Sequence, residues 1–397
     1  MRRVLFVAEH ATLAQVVRLL VLAKSLPADR YHVTFACASF DPFLFDGTTF
    51  SREAISSIPR AEVERAVERG SRIYDKATLR RYVDDDLRLL DRTRPDIVIG
   101  DLRWSLAISA PVRRVPYACF VNAYWSPLAD RDGFPLPDHP IVRALGVEMA
   151  SRYFPMALPS VFAHFAKPVN ELRRERGLPE IGSLPDVVTF GDMTLFPDVP
   201  SLVPLRRSSV TSHYLGPVCW SPSVPLSERA AALGEKRPLV YVTLGSSGHA
   251  RVLQDVLRGL ARLDVDVLVA TAGRVEAAER RGVVVERFVP GDVAARKAAV
   301  VVSNGGSSTG WQALREGTPL VGVPFNLDQY LATDAVDRAG AGKHVRAGQC
   351  TEAAVSSAVR RVLEDGRYRS AARRIADEMR DYDAPERLSA ILTSALP

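Results

Sequence analysis

The sequence lacks the residue patterns that would make it a disulfide scaffold, a zinc protein or a membrane protein. It has only four cysteines, Cys37, Cys119, Cys219 and Cys350. They lie far apart and form no CxxC pair, which argues against a disulfide framework or a cysteine-based zinc site. Its seven histidines include no HExxH or HxxxH spacing. No GxGxxG follows the first apolar run, which disfavours a dinucleotide oxidoreductase. Gly245–Ser246–Ser247–Gly248 does not have the GxSxG spacing of a hydrolase nucleophile elbow. Long apolar runs are also missing. Pro319–Pro324 and Ala298–Val302 suit buried strands and are far too short to cross a bilayer. Two arginines follow Met1, but the run Val4–Ala8 stops at Glu9–His10 and reads as a first strand instead of a secretory signal. A cytoplasmic location is expected.

Charge of one sign is not concentrated anywhere. Lysine and arginine number 52 against 46 acidic residues, a formal charge of +6. The basic residues are dispersed and no aromatic-rich RNA motif accompanies them, so nucleic acid is not expected as a partner. A mild positive field could help capture an anionic small molecule, and solvated helix faces account for the charge equally well. Asp84–Asp85–Asp86 resembles a metal-binding DxD, but it lies in a charged helical stretch and reads as a solvated face.

What is present is a repeated α/β rhythm in a chain long enough for two domains of similar size. Strands are expected at Arg3–Ala8, Val33–Ala38, Pro95–Gly100 and Tyr117–Val121, with helices at Leu13–Leu26 and Leu106–Val112. The pattern restarts with strands at Leu239–Leu244, Val265–Ala270, Val283–Val285, Val300–Ser303 and Leu320–Val323. Such alternation implies parallel sheets covered on both faces. The fold class is therefore α/β, with two facing doubly wound, Rossmann-like domains and a ligand cleft between them. Residues 1–215 form the first domain and 216–238, rich in proline, the linker. Residues 239–378 form the second domain, and a last helix in 379–397 is expected to return to the first. Trp125–Pro140 reads as a long loop with a binding role.

The most informative segment is Val300–Gln329, VVVSNGGSSTGWQALREGTPLVGVPFNLDQ. An apolar strand runs into Asn304, Gly305, Gly306, Ser307, Ser308 and Thr309, and then into a helix containing Gln312. Glycines let backbone approach a ligand, and hydroxyls with free N–H groups at a helix N-terminus favour a diphosphate without requiring a metal. Asp328–Gln329 after the next strand offers an acceptor and an amide for sugar hydroxyls. An ordinary strand–turn–helix with Ser/Thr capping is the competing account.

This segment resembles the donor signature of the family 1 glycosyltransferases, as found in bacterial natural-product enzymes. The glycine pair, the Ser/Thr cluster, the Gly317–Thr318–Pro319 turn and the Asp328–Gln329 pair occur in the family's order. The resemblance implies a GT-B fold, a UDP- or dTDP-sugar donor, and inverting, metal-independent transfer to a small hydrophobic or polycyclic acceptor in natural-product or antibiotic biosynthesis. No cofactor is implied beyond the sugar nucleotide as co-substrate, and the protein would act as a monomer or homodimer. Asn304 stands where many members have a histidine facing the diphosphate. Gly306, Ser307, Ser308 and Thr309 fall at the phosphate-contacting positions. Gln312 replaces a glutamate that commonly holds the ribose. Asp328 and Gln329 match the pair that holds the transferred sugar. Ser246 and Ser247 match the family's other phosphate loop, Val289 the backbone that meets the base, and Arg274 lines the same pocket or a surface loop.

Transfer to a hydroxyl needs a base, and a histidine held by an aspartate suits that task. Counting back from the helix end Leu22–Leu26, the family's histidine position is Gln15, which cannot serve. The usual aspartate partner matches Asp101. His10 at the end of the first strand, the adjacent Glu9, the substrate itself, an acceptor acidic enough to need no base, and binding without turnover remain as competing explanations. Trp104, Asn122, Tyr124, Trp125 and Phe134 are candidates for an aromatic acceptor pocket, although some of these aromatics could belong to the core. A non-catalytic sugar-nucleotide-binding protein and a GT-B epimerase or hydrolase are the alternative functions.

Overall fold

A computed structural model describes residues 1–207, 209–244, 250–273 and 282–396. The chain divides into two compact units. Unit 1 comprises Met1–Arg131, Ser151–Val218 and Tyr382–Pro397, and unit 2 comprises Asp132–Ala150 and Cys219–Asp381.

Unit 1 is built on strands β1 (Arg2–Ala8), β2 (Tyr31–Cys37), β3 (Ser51–Ala54), β4 (Ile97–Asp101), β5 (Tyr117–Phe120), β6 (Met193–Phe196) and β7 (Ser212–Tyr214). They form a seven-stranded parallel sheet in the order β3-β2-β1-β4-β5-β6-β7. In β1 every residue from Val4 to Ala8 is buried, as expected for a strand covered on both faces. The chain order reverses between β1 and β4, so the residues that follow these two strands lie at the topological switch point where ligands bind in such sheets.

The helix Leu13–Ser25 starts in a capping box, with Thr12 as N-cap and Gln15 at the third helical position. It buries Val16, Val17, Leu19, Leu20, Leu22 and Ala23 against the sheet, and Leu26–Pro27 ends it. The C-terminal helix Ala384–Ala395 belongs to the same unit. Arg387 donates to the Tyr214 carbonyl at 2.8 Å and Arg30 to the Thr393 hydroxyl at 3.0 Å. The sequence reading missed the helix Val147–Glu175, whose 29 residues contain Pro155, Pro159 and Pro168. Internal prolines oppose a helix locally. Burial of Phe162, Ala166, Val169 and Leu172 in the core of unit 1 outweighs them.

Unit 2 holds β8 (Leu239–Thr243), β9 (Asp266–Ala270), β10 (Val283–Glu286), β11 (Val300–Ser303), β12 (Leu320–Gly322) and β13 (Gly342–His344). Its sheet is parallel throughout, in the order β10-β9-β8-β11-β12-β13. Here the switch point lies between β8 and β11, which places the Asn304–Gly306 turn at the ligand-binding end of the sheet. A valine-rich core, including Val240, Val242, Val267, Val269, Val300, Val302 and Val321, packs beneath it. The segment Asp132–Ala150 groups with unit 2 by its contacts, although its place in the sequence assigns it to the first half. Asp138 anchors it there.

Candidate active site

The donor turn is shaped by its own side chains. Gly305 has φ +80°, a left-handed conformation that glycine adopts without cost. The Ser303 hydroxyl accepts from the Gly305 N–H at 3.1 Å, and the Asn304 side-chain oxygen accepts from the Gly306 N–H at 3.3 Å. A Cβ on Gly305 would lie 2.7 Å from a methyl carbon of Thr333, so no side chain fits. The helix Ser307–Arg315 then begins with Gly306 as N-cap and carries no side-chain cap. Gly306, Ser308 and Thr309 are half-buried, and Ser307 is buried. The result is a helix start of the kind whose N–H groups and dipole suit an anion.

Gln312 donates to the Trp220 carbonyl at 3.1 Å and to the Ser221 hydroxyl at 2.8 Å. A glutamate could not donate to that carbonyl, which gives the amide at this position a physical reason. Asp328 is exposed on the first turn of the helix Leu327–Arg338. Its neighbour Gln329 is buried and closes a capping box with Asn326, accepting from the Phe325 N–H at 2.9 Å. Val289 is buried beside the half-exposed Phe288. Ser246, Ser247 and Arg274 lie outside the described residues.

In unit 1 the catalytic candidates separate into two polar groups at the switch point. The first is held by Arg18, which reaches across from the helix Leu13–Ser25. Its Nη2 donates to Asp101 Oδ2 at 2.8 Å, and its Nη1 donates to Asn122 Oδ1 at 3.0 Å. Asn122 in turn donates to the buried Asp198 at 2.9 Å. The Arg18 guanidinium also lies 5.1 Å from the centre of the Phe120 ring. Gln15 uses its side-chain oxygen on the Thr12 N–H at 2.9 Å, so it serves the helix start.

The second group surrounds Glu9, which is fully buried. Arg103 Nη1 lies 3.2 Å from Glu9 and its Nη2 lies 2.9 Å from Asp86. Ser57 and Tyr82 also donate to Glu9, and Ser105 donates to Asp86 at 2.5 Å. This corrects the reading of Asp84–Asp86 as a solvated face, because Asp86 is wholly buried as the counter-ion of Arg103. Sequence spacing could have flagged it: Asp86 lies on the buried stripe of the helix Lys76–Thr93, four residues beyond Tyr82 and three beyond Val83. Arg103 was missed, because nothing in the local sequence marks an arginine as buried.

His10 is half-buried and follows Glu9 in the chain. Its backbone N–H donates to the Ser57 hydroxyl at 3.3 Å, and its Nδ1 lies 3.3 Å from the Ser39 hydroxyl. Burial pushes its pKa below the ordinary 6.5, with the Glu9 carboxylate opposing and Arg60 adding to the shift. The imidazole is thus held neutral near physiological pH.

The acceptor candidates do not all share one environment. Trp104 packs on Tyr74, with ring centres 5.0 Å apart, against the core of unit 1, and its indole nitrogen has no hydrogen-bond partner among the described residues. Asn122 and Tyr124 are buried, and Trp125 is half-buried. Phe134 is half-buried and belongs to unit 2.

Over 378 residues the chain is 44% identical to the PGL/p-HBAD biosynthesis glycosyltransferase of Mycobacterium tuberculosis, covering 95% of this chain and 88% of that one. The chain is a family 1 glycosyltransferase. The glycosyltransferase is also 45% identical over 378 residues to the PGL/p-HBAD biosynthesis rhamnosyltransferase of Mycobacterium bovis, covering 95% of this chain and 84% of the relative. Residues 254–394 match the family described as erythromycin biosynthesis protein CIII-like, C-terminal domain. Among solved structures, the spinosyn forosaminyltransferase SpnP superposes with a TM-score of 0.70 at 20% identity, covering 100% and 99% of the two chains. The calicheamicin glycosyltransferase CalG4 gives 0.71 at 17%, covering 100% and 98%. These structural likenesses establish the GT-B fold. No helix among the described residues of this glycosyltransferase is long and apolar enough to cross a membrane.

Proposed function

We propose that the enzyme transfers a sugar from a UDP- or dTDP-sugar to a small-molecule acceptor, with inversion and without a metal ion. The observation that carries this reading is the position of the helix start at Gly306, opened by the Asn304–Gly305 turn at the switch point of the second sheet. Its N–H groups and the Ser308 and Thr309 hydroxyls would offset diphosphate charge. Asp328 and Gln329, at the start of the helix after β12, would hold the sugar. The relative named as a rhamnosyltransferase favours a deoxysugar donor, and the relatives named for PGL/p-HBAD biosynthesis favour an acceptor of that class.

His10 is the proposed base. Its depressed pKa leaves the imidazole neutral and able to take the acceptor proton as the anomeric carbon is attacked. Asp101 would not orient it, because Arg18 engages that carboxylate. Arg18, Asn122 and Asp198 instead form one hydrogen-bonded chain with Asp101. The second reading is binding without turnover, which the commitment of Gln15 to the helix cap favours. One curated relative is itself named inactive. Calorimetry with UDP and dTDP, followed by turnover assays with a panel of UDP- and dTDP-sugars, separates the two. Binding of neither nucleotide at millimolar concentration overturns both, and binding without product overturns the transferase mechanism.

A further inference from the structure

We infer that Asp138 and Arg346 are positioning residues for the donor-sugar turn, and that segment 136–138 is a strap which sets how the transferred sugar is held. This rests on the reading of Asp328 and Gln329 as sugar contacts. The strap lies wholly within unit 2. Arg346 follows β13 and grips three acceptors in a row: the Leu136 carbonyl at 2.9 Å, the Pro137 carbonyl at 3.3 Å and Asp138 Oδ1 at 2.7 Å. The other Asp138 oxygen accepts from the Gly348 N–H at 2.8 Å. Both side chains are largely buried, at 16% and 8% exposure, so the pair is poorly screened.

The contact that gives this clamp a functional target is the Asp138 N–H, which donates to the Phe325 carbonyl at 3.0 Å. The N–H of the same Phe325 donates to the Gln329 side chain at 2.9 Å. Phe325 is therefore held on one side by the strap and on the other by the sugar-contact residue. Arg346 also lies 4.8 Å from the centre of the Tyr330 ring, next to Gln329 in the chain. The helix start that presents Asp328 and Gln329 is thus braced from two directions by a segment 208 positions away from Arg346 in sequence. A neutral loop would brace it less well, because charge-assisted bonds hold geometry more strongly than neutral ones. Small misplacements of binding groups are costly when a reacting centre must be aligned.

The test compares sugar nucleotides with bare nucleotides. Asp138→Asn removes the charge facing Arg346 and keeps an acceptor for Gly348. Calorimetry would measure UDP against UDP-glucose and dTDP against dTDP-rhamnose in the full chain. For whichever pair the wild type binds, the sugar nucleotide is expected to weaken by roughly tenfold or more, with the bare nucleotide changed by less than about twofold. Arg346→Lys, which keeps the charge without the fork, is expected to give the same split at smaller size and supplies the answer if Asp138→Asn does not fold. Equal weakening of both ligands, or no weakening, overturns the strap. Asp328→Ala and Gln329→Ala serve as references. If they selectively weaken the sugar nucleotide while both strap variants do not, only the strap inference fails. If they leave the sugar nucleotide unaffected, the sugar-contact reading fails and the strap's purpose with it.

Discussion

Arg18 Nη2 lies 2.8 Å from Asp101 Oδ2 and 3.1 Å from Oδ1, so an arginine holds the carboxylate that ends β4. The side chains are 11% and 3% exposed, and the pair also carries Asn122 and Asp198. Removing one partner from a buried pair leaves a charge without its counter-ion, which costs about 3–5 kcal/mol. Arg18→Met is expected to lower stability on that scale, measured by the urea midpoint at constant slope. Arg18→Met combined with Asp101→Leu is expected to recover most of the loss. A double variant as unstable as the single one would show that the pair does not act as a unit.

His10 should control the acidic limb of the rate profile. Its pKa in the folded protein lies below 6.5 because burial penalises the imidazolium. A base works when neutral, so kcat/KM is expected to rise through a pH below 6.5 and to stay level above it. The same shift means that the folded state binds fewer protons than the unfolded chain, so this group's contribution to stability is present above 6.5 and lost as pH falls through the folded pKa. His10→Ala is expected to lower kcat by roughly 10²–10⁴ with UDP or dTDP affinity retained. Turnover near the wild-type value would remove His10 as the base.

The Glu9–Arg103–Asp86 cluster should behave as structural support with no direct chemistry. Arg103 is completely buried between two carboxylates, and its guanidinium lies 3.8 Å from the centre of the Tyr82 ring. Arg103→Met strands both carboxylates and is expected to cost at least about 3–5 kcal/mol, seen as a large fall in the denaturant midpoint. Arg103→Lys is expected to recover only part, since one ammonium cannot span both partners as a fork does. Full stability in Arg103→Met would contradict this account.

Gly305→Ala tests the donor turn. It forces a side chain into a left-handed conformation, at about 1–2 kcal/mol, and drives its Cβ against Thr333. Thermal unfolding should shift downward, and affinity for UDP or dTDP should fall with it. Gly306→Ala is the matched control, because among the described residues a Cβ there meets only the Asn304 side-chain oxygen, at 3.5 Å. Equal effects of the two substitutions on stability would show that backbone conformation at Gly305 is not the deciding factor.

The two members of the sugar pair should also differ. Gln329→Ala opens the capping box and is expected to cost about 0.5–2 kcal/mol in thermal or urea unfolding, as cap losses do. Exposed Asp328→Ala should leave stability nearly unchanged. A larger stability loss in Asp328→Ala than in Gln329→Ala would reverse these assignments.

Local chemistry determined much of this protein. The valine-rich runs and the helices between them establish two parallel α/β sheets, because period and capping act over a few residues. Thr12 with Gln15 and Asn326 with Gln329 mark helix starts for the same reason. The edge strands β3, β7 and β13 are three or four residues long and carry too little pattern to be read. Only the tertiary structure decided that Asp86 is the counter-ion of Arg103, that Asp101 pairs with Arg18 across 83 positions, and that Asp138 reaches Phe325 and Arg346. An ion pair leaves no periodic trace in sequence, since its energy depends on separation and burial in three dimensions. The helix starts were therefore legible from the chain, and the residues that hold them in place were not.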